Sequence, residues 1–195
     1  MDINDLVARR VRTLREERGF SLATLAELSG VGRSTISLIE RGESSATATV
    51  LDKLATALGV ALASLFEGGE AGSEPSPVSR AAEQPVWADP VSGYVRRRLS
   101  PAAPSPIQLV EVLFPPGQRV AFDTSNRDAD IRQQIWIIEG QMEVTVGEDR
   151  WRLEAGDCLA MRVDRPTSFY NPGSKPARYL VALVTQAATS SRRNP

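Results

Sequence analysis

The chain has 195 residues, 42% of them hydrophobic and 24% charged, with 23 Lys and Arg against 24 Asp and Glu, a profile that fits a soluble globular protein of one medium domain or two small ones. It contains no histidine and a single cysteine, Cys158, so composition excludes a histidine base, a Ser-His-Asp or Cys-His nucleophile, histidine-bearing zinc or iron sites, an intramolecular disulfide and a cysteine metal cluster. No run approaches the roughly 18 apolar residues of a membrane-spanning helix, and the first six residues lack the basic-then-apolar signature of a secretory signal, which implies a cytoplasmic protein.

The first 67 residues read as an all-helical domain of five short helices. Ile3, Leu6, Val7, Val11 and Leu14 form one stripe of the first helix, which Gly19 stops. The same helix and its end carry five arginines (Arg9, Arg10, Arg12, Arg15, Arg18) in ten positions, which reads either as a basic patch or as a plain solvated face. Ser21 can cap a second helix whose apolar face is Leu22, Leu25, Ala26 and Leu28. The turn Ser29-Gly30-Val31-Gly32 offers a left-handed glycine and an apolar plug. A third helix from about Arg33 to Arg41 turns Ile36 and Ile39 inward. Thr49, Val50, Leu51, Leu54, Ala55 and Leu58 mark a fourth helix, and Leu62, Leu65 and Phe66 a fifth.

What the third helix leaves outside is informative. Arg33, Ser34, Ser37 and Arg41 project opposite the buried isoleucines, at the leading end of a helix after a tight turn. In a DNA major groove Arg can pair with guanine O6 and N7, Ser can reach a base edge or a phosphate, and a helix N-terminus favours phosphate oxygens. The plainer alternative is an ordinary polar helix surface. Taken with Arg15-Glu16-Glu17-Arg18-Gly19-Phe20-Ser21-Leu22, Leu25-Ala26-Glu27-Leu28-Ser29-Gly30-Val31, Ser34 to Gly42 and Leu54 to Val60, the region resembles the phage-repressor (Cro, XRE) helix-turn-helix family from Leu6 to Phe66. The resemblance implies a five-helix repressor-like domain with base-reading positions at Arg33, Ser34 and Ser37 and phosphate contacts at Ser21, Thr24 and Arg41. Leu22 stands where that family often has a DNA-touching Gln, and Ala46 where it has Pro.

Residues 68–85 are rich in Gly, Pro, Ser and Glu and read as a flexible linker. Residues 86–186 form an all-β domain, and 187–195 a polar tail. Alternation runs through Ile107 to Phe114, Ile131 to Ile138, Met142 to Val146, Trp151 and Leu153, Leu159 to Val163 and Ala177 to Val184, with glycine turns between, the pattern of a sandwich or small barrel. Arg96-Arg97-Arg98 reads as a strand with a solvated face, Cys158 as a buried inert thiol, and Trp136 and Trp151 as core.

Pro116-Gly117, Trp136 to Met142, Leu153 to Asp157 and Asn171-Pro172-Gly173 resemble the cupin family, which implies a jelly-roll β-barrel. By that resemblance the family's metal-binding glutamate falls at Gln133, its paired histidines near Asn126 and Asp128, and its third histidine at Thr167. An amide, a hydroxyl and at most one charge do not make a transition-metal site, so no metal and no cofactor are expected and the family's metal chemistry is not carried over. Ile131, Ile135, Met142, Trp151 and Phe169 line the barrel by strand parity with Gln133 and Thr167, and Arg119 or Arg132 can pair with an anionic effector.

Together these features imply a regulator that is not an enzyme: a homodimer whose helical domains bind double-stranded operator DNA and whose metal-free β domain senses a small molecule, joins subunits, or both. One rival is a metal-independent cupin enzyme with a DNA-binding appendage. Another makes the β domain an assembly module alone.

Overall fold

The computed structural model describes residues 3–67, 75–123 and 130–186. Its N-terminal part has four α-helices, α1 (Ile3–Glu17), α2 (Leu22–Ser29), α3 (Arg33–Glu40) and α4 (Ala48–Ala57). The expected fifth helix is a single 3-10 turn, Leu62–Phe66, too short to complete an α-helical ladder. Capping explains where helices begin. The Ser21 side chain accepts from the Thr24 amide at 3.0 Å at the start of α2, and Thr47 does the same for the Val50 amide at the start of α4. Gly30 closes α2 at φ +65°, a left-handed conformation that costs glycine little, with its N–H on the Ala26 carbonyl. Val7, Val11, Leu14, Leu25, Ile36, Ile39, Leu51 and Leu54 form the core of this head. Leu28, expected inward, is 56% exposed, because α2 buries the side that carries Leu25 and Ser29.

The second part is antiparallel throughout. Ten strands, β1 (Val86–Ala88), β2 (Val95–Arg98), β3 (Ile107–Phe114), β4 (Arg119–Phe122), β5 (Asp130–Glu139), β6 (Gln141–Val146), β7 (Asp149–Glu154), β8 (Cys158–Arg162), β9 (Thr167–Tyr170) and β10 (Ala177–Gln186), divide into two sheets. One has the order β1-β2-β3-β10-β5-β8 and the other β4-β9-β6-β7. They form a two-sheet sandwich; the strand ladders do not close into the expected barrel. Gly140 makes the β5–β6 turn at φ +80°, where a Cβ would lie 2.9 Å from the Ala177 backbone. Asn171, fully buried, donates to the Phe114 and Lys175 carbonyls and accepts the Gly173 amide, tying three segments at one end of the sandwich.

Head and sandwich share one continuous apolar core. The Phe66 ring of the head meets Trp87 at 5.5 Å, tilted by 54°, Trp87 meets Tyr94 edge-on, and Tyr94 lies nearly parallel to Phe114 at 5.5 Å, so an aromatic chain runs from the head into the sheets. The buried Asp89 carboxylate accepts the Ala48 amide at 2.7 Å, placing an anion at the N-terminus of α4. Thr49 donates to the Ala121 carbonyl, Arg10 bonds to Glu67, and Gln108 donates to the Glu67 carboxylate.

Candidate nucleic-acid interface and ligand cavity

The α2–turn–α3 segment places its polar residues as α3's two-sided pattern requires. Ile36 and Ile39 are buried against the head, Val31 fills the angle between the helices, and Arg33 and Ser34 stand exposed at the start of α3. Gly32 at the N-cap has no side chain to satisfy the first amides of α3, which therefore remain available to an oxyanion. Thr24 is exposed beside Ser21, and the two hydroxyls share a 2.8 Å hydrogen bond as part of the α2 cap. Ser37 is half-buried and accepts from Arg41, whose guanidinium also pairs with Glu43 at 2.8 Å. That pairing raises the Arg41 pKa and lowers that of Glu43, both through the shared hydrogen bond, so a phosphate approaching Arg41 competes with a carboxylate.

The arginine run of α1 serves the head's own structure. Arg15 grips Glu40 at the end of α3 with two bonds of 2.7 and 2.8 Å and also caps the Phe20 carbonyl. Arg10 bonds to the Ser64 carbonyl and Glu67, and Arg12 pairs with Glu16. Of the two readings of this run, the basic patch gives way to internal pairing.

Between the sheets and the head lies a cavity of about 70 Å³. Gln133, Thr167 and Phe169 line it, as does Ile131. The other residues expected there are placed elsewhere. Arg132 neighbours Gln133 on β5, and strand alternation sends it to the outer face, where it pairs with Asp130. Arg119 is exposed because Val120 takes the inward place on β4; its guanidinium covers the Tyr170 ring at 4.5 Å and lies 3.7 Å from Glu143. Met142 is fully buried, Trp151 half-buried, and neither borders the cavity. Asn126 and Asp128 lie outside the described residues.

Other cavity residues escaped the sequence reading. Among them, Tyr94 enters from just before β2, Arg96 from β2 itself, and Asp52 and Leu62 from the head. Burial raises the Tyr94 pKa against a smaller opposing effect of the nearby Arg96 guanidinium, and burial likewise raises Tyr179. The Arg96-Arg97-Arg98 run is therefore no solvated face. Arg96 turns toward the cavity and lies over Phe66, Arg98 is half-buried with its pKa lowered by desolvation, and only Arg97 is exposed, 3.6 Å from Glu111. No sequence pattern announced this, since alternation cannot say which face another domain will cover.

Among the described residues, no group of three His, Cys, Asp or Glu side chains converges as a metal site. The cavity's amide, hydroxyl and phenol donors at Gln133, Thr167 and Tyr94 do not fit a transition metal. On the outer face of the larger sheet, Ile107, Leu113 and Trp136 are 44–49% exposed. Trp136 sits opposite Leu180 and Cys158 on the neighbouring strands. Trp136 and Cys158 were expected in the core. Both project outward because Ile135 and Ile137 take the inner side of β5 and Leu159 that of β8.

Comparison with known proteins agrees with this division. The helix-turn-helix family model matches residues 11–65 and the cupin domain model residues 110–183. The HTH-type transcriptional regulator SutR of Escherichia coli K12 is 25% identical over 174 residues, covering 89% of this chain and 91% of SutR. Control protein C.SmaI of Serratia marcescens is 38% identical over 66 residues, 34% of this chain and 79% of its own. A crystal structure of an HTH_3 family transcriptional regulator from Vibrio cholerae superposes with a TM-score of 0.72 at 22% identity, covering 93% of this chain and 96% of that one, and so shares the fold. No helix among the described residues is long and apolar enough to cross a membrane.

Proposed function

The chain belongs to the XRE-type helix-turn-helix transcriptional regulators that carry a C-terminal cupin domain, and on that footing we propose that it is a cytoplasmic, dimeric, non-enzymatic repressor or activator whose α3 reads operator DNA and whose cupin cavity senses a small molecule. The observation that carries this reading is the exposed leading end of α3, with Arg33 and Ser34 outward over buried Ile36 and Ile39. Arg33, Ser34 and Ser37 are assigned to base edges. Ser21, Thr24 and Arg41 are assigned to phosphates, Arg41 after exchanging Glu43 for a phosphate oxygen.

One helical head reaches few base pairs, so specific binding calls for two heads spaced by about one helical turn, roughly 34 Å. The outer face around Trp136 and Leu180 supports a second copy as its occupant: Ile107, Leu113 and Trp136 stand exposed on it, and the Arg178–Glu111 and Arg178–Glu139 pairs on the same face supply charges of both signs. Gln133, Thr167 and Phe169 are assigned to the effector. Arg119, Arg132, Met142 and Trp151 drop out of that assignment on their placement.

The test is selection of duplexes from random or genomic fragments by the purified full chain, followed by anisotropy titration of the winning sequence. Arg33→Ala is expected to weaken operator binding by about 1–3 kcal/mol and to relax preference at one base pair. Equal operator affinity of variant and parent would count against α3 as the reading helix.

A further inference from the structure

The wall of the cavity that faces the head is made by the DNA-binding domain itself, through Asp52 of α4 and Ala61, Leu62 and Ala63 of the 3-10 turn. Resting on the sensing reading above, we propose that this cavity binds a short carboxylic acid with a hydrogen-bond donor at its other end, a hydroxy acid or an amino acid, and that filling it changes how firmly the head is held against the sandwich.

Three observations carry the ligand chemistry. The Tyr94 hydroxyl borders the cavity, is 2% exposed, and meets no hydrogen-bond partner in proper geometry among the described residues. A buried, unsatisfied hydroxyl is costly, so it is a place where a ligand oxygen is favoured. Arg96 borders the same space, lies close enough to Tyr94 to act on its pKa, and has Phe66 rather than a carboxylate as its partner among the described residues. A guanidinium beside a phenol makes a carboxylate anchor. Asp52 borders the cavity from the head, 3% exposed and close enough to Tyr94 to act on its pKa. A carboxylate has about four acceptor sites, so it can take a hydroxyl or ammonium donor in addition to its existing interactions. Aromatic rings at Phe122, Phe169 and Tyr179 suit a short apolar body between the two ends.

Position carries the coupling. The cavity is walled by the sandwich at Tyr94 and Arg96 and by the head at Asp52, Leu62 and Ala63. The head's wall runs on to Phe66, whose ring meets Trp87 where head and sandwich join. A ligand anchored on both sides binds with different affinity when the head is docked and when it is not, which is the differential affinity a population shift requires.

The experiment is calorimetric titration of the full chain with glycolate, lactate, glycine and alanine, the first two against the last two deciding hydroxyl or ammonium. Propionate and ethanolamine, each lacking one end, are the controls. Either acid class is expected to bind at least about tenfold tighter than both controls, and Tyr94→Phe and Arg96→Gln to weaken it by about tenfold or more, the loss of one charge-assisted bond each. Tyr94→Phe keeps the ring stack and deletes only the hydroxyl. Saturating ligand is expected to change operator affinity by about fivefold or more. Binding that is indifferent to both variants, or no binding by any of the four acids, overturns the proposal. Ala63→Leu, which fills the cavity from the head's wall, separates this from the broader reading. If it shifts operator affinity while none of the acids bind, sensing stands and the ligand class falls; if it leaves affinity unchanged as well, sensing falls too.

Discussion

Replacing Asp89 with alanine tests how the head is fastened. The carboxylate is 4% exposed and accepts three bonds, from the Ala48 amide at 2.7 Å, the Ser92 amide at 2.7 Å and the Ser92 hydroxyl at 2.6 Å. Hydrogen bonds to a charged group contribute about 1.5–3 kcal/mol each, and each donor left buried without an acceptor costs about 1–3 kcal/mol. The Ser92 hydroxyl can rotate to another partner; the two amides cannot. Asp89→Ala is therefore expected to cost about 3–5 kcal/mol, a large share of a typical total stability. Asp89→Asn keeps an oxygen for the Ala48 amide but sets an N–H₂ against Ser92, and about half that loss is expected.

Urea unfolding with two probes makes the point sharply, because all three tryptophans lie in the β domain and, among the described residues, every α-helix lies in the head. In the parent protein, tryptophan fluorescence and helical circular dichroism should fall together, as one cooperative unit. In Asp89→Ala the helical signal should fall at lower urea than the fluorescence, since the bond lost on the head's side is the one at the α4 N-terminus. A loss below about 1 kcal/mol with coincident probes would refute this reasoning: at that size the carboxylate is hydrated and the head is held by apolar contact alone.

Other expectations follow from the same accounting. Glu40→Ala leaves the largely buried Arg15 guanidinium with only the Phe20 carbonyl and Glu16 at 3.5 Å and should cost about 2–3 kcal/mol in urea unfolding, with Glu40→Gln recovering part; a loss under about 0.5 kcal/mol would rank the pair with weak surface bridges. Trp136→Glu puts a charge in the apolar outer face and should convert a dimer to monomers in sedimentation velocity, whereas an unchanged mass would move the dimer interface elsewhere. Burial raises the pKa of both Tyr94 and Tyr179 in the folded state, so above about pH 10 the unfolded chain releases phenolic protons that the folded chain keeps. Stability is then full below that pH and falls as pH rises through it, by up to about 1.4 kcal/mol per pH unit for each tyrosine; Tyr179→Phe should remove one share, and a profile flat to pH 11 would contradict the burial of both rings.

Most of the head was legible because its signals are local; Leu28 and the expected fifth helix were the exceptions. A stripe at helical spacing, Ser21 ahead of α2, and Gly30 and Val31 at the bend each specify geometry within a few residues, and α3 follows with its polar side already determined. The long strands were legible for the same reason, through alternation from Ile107 to Phe114 and from Ala177 onward. The three-residue β1 and four-residue β4 were not, since so short a run shows no period.

What local pattern could not decide is which face of a strand another element covers. Alternation makes Arg96 and Arg97 opposite, as it does Arg132 and Gln133 or Ile135 and Trp136, but assigns neither member to the inside. Packing of the head against the open end of the sandwich made that choice, drawing Arg96 and Tyr94 inward beside Asp52, which lies over 40 positions earlier in the chain. Packing of the two sheets on Ile135, Ile137 and Leu159 left Trp136 and Cys158 outside, where the sequence reading had placed them in the core. Local sequence thus determined most of the elements, the caps and the two-sided pattern of α3, because those depend on neighbours within one turn. Only the tertiary structure decided the cavity, because its walls come from segments that meet through the burial of Phe66 on Trp87 and share no local pattern.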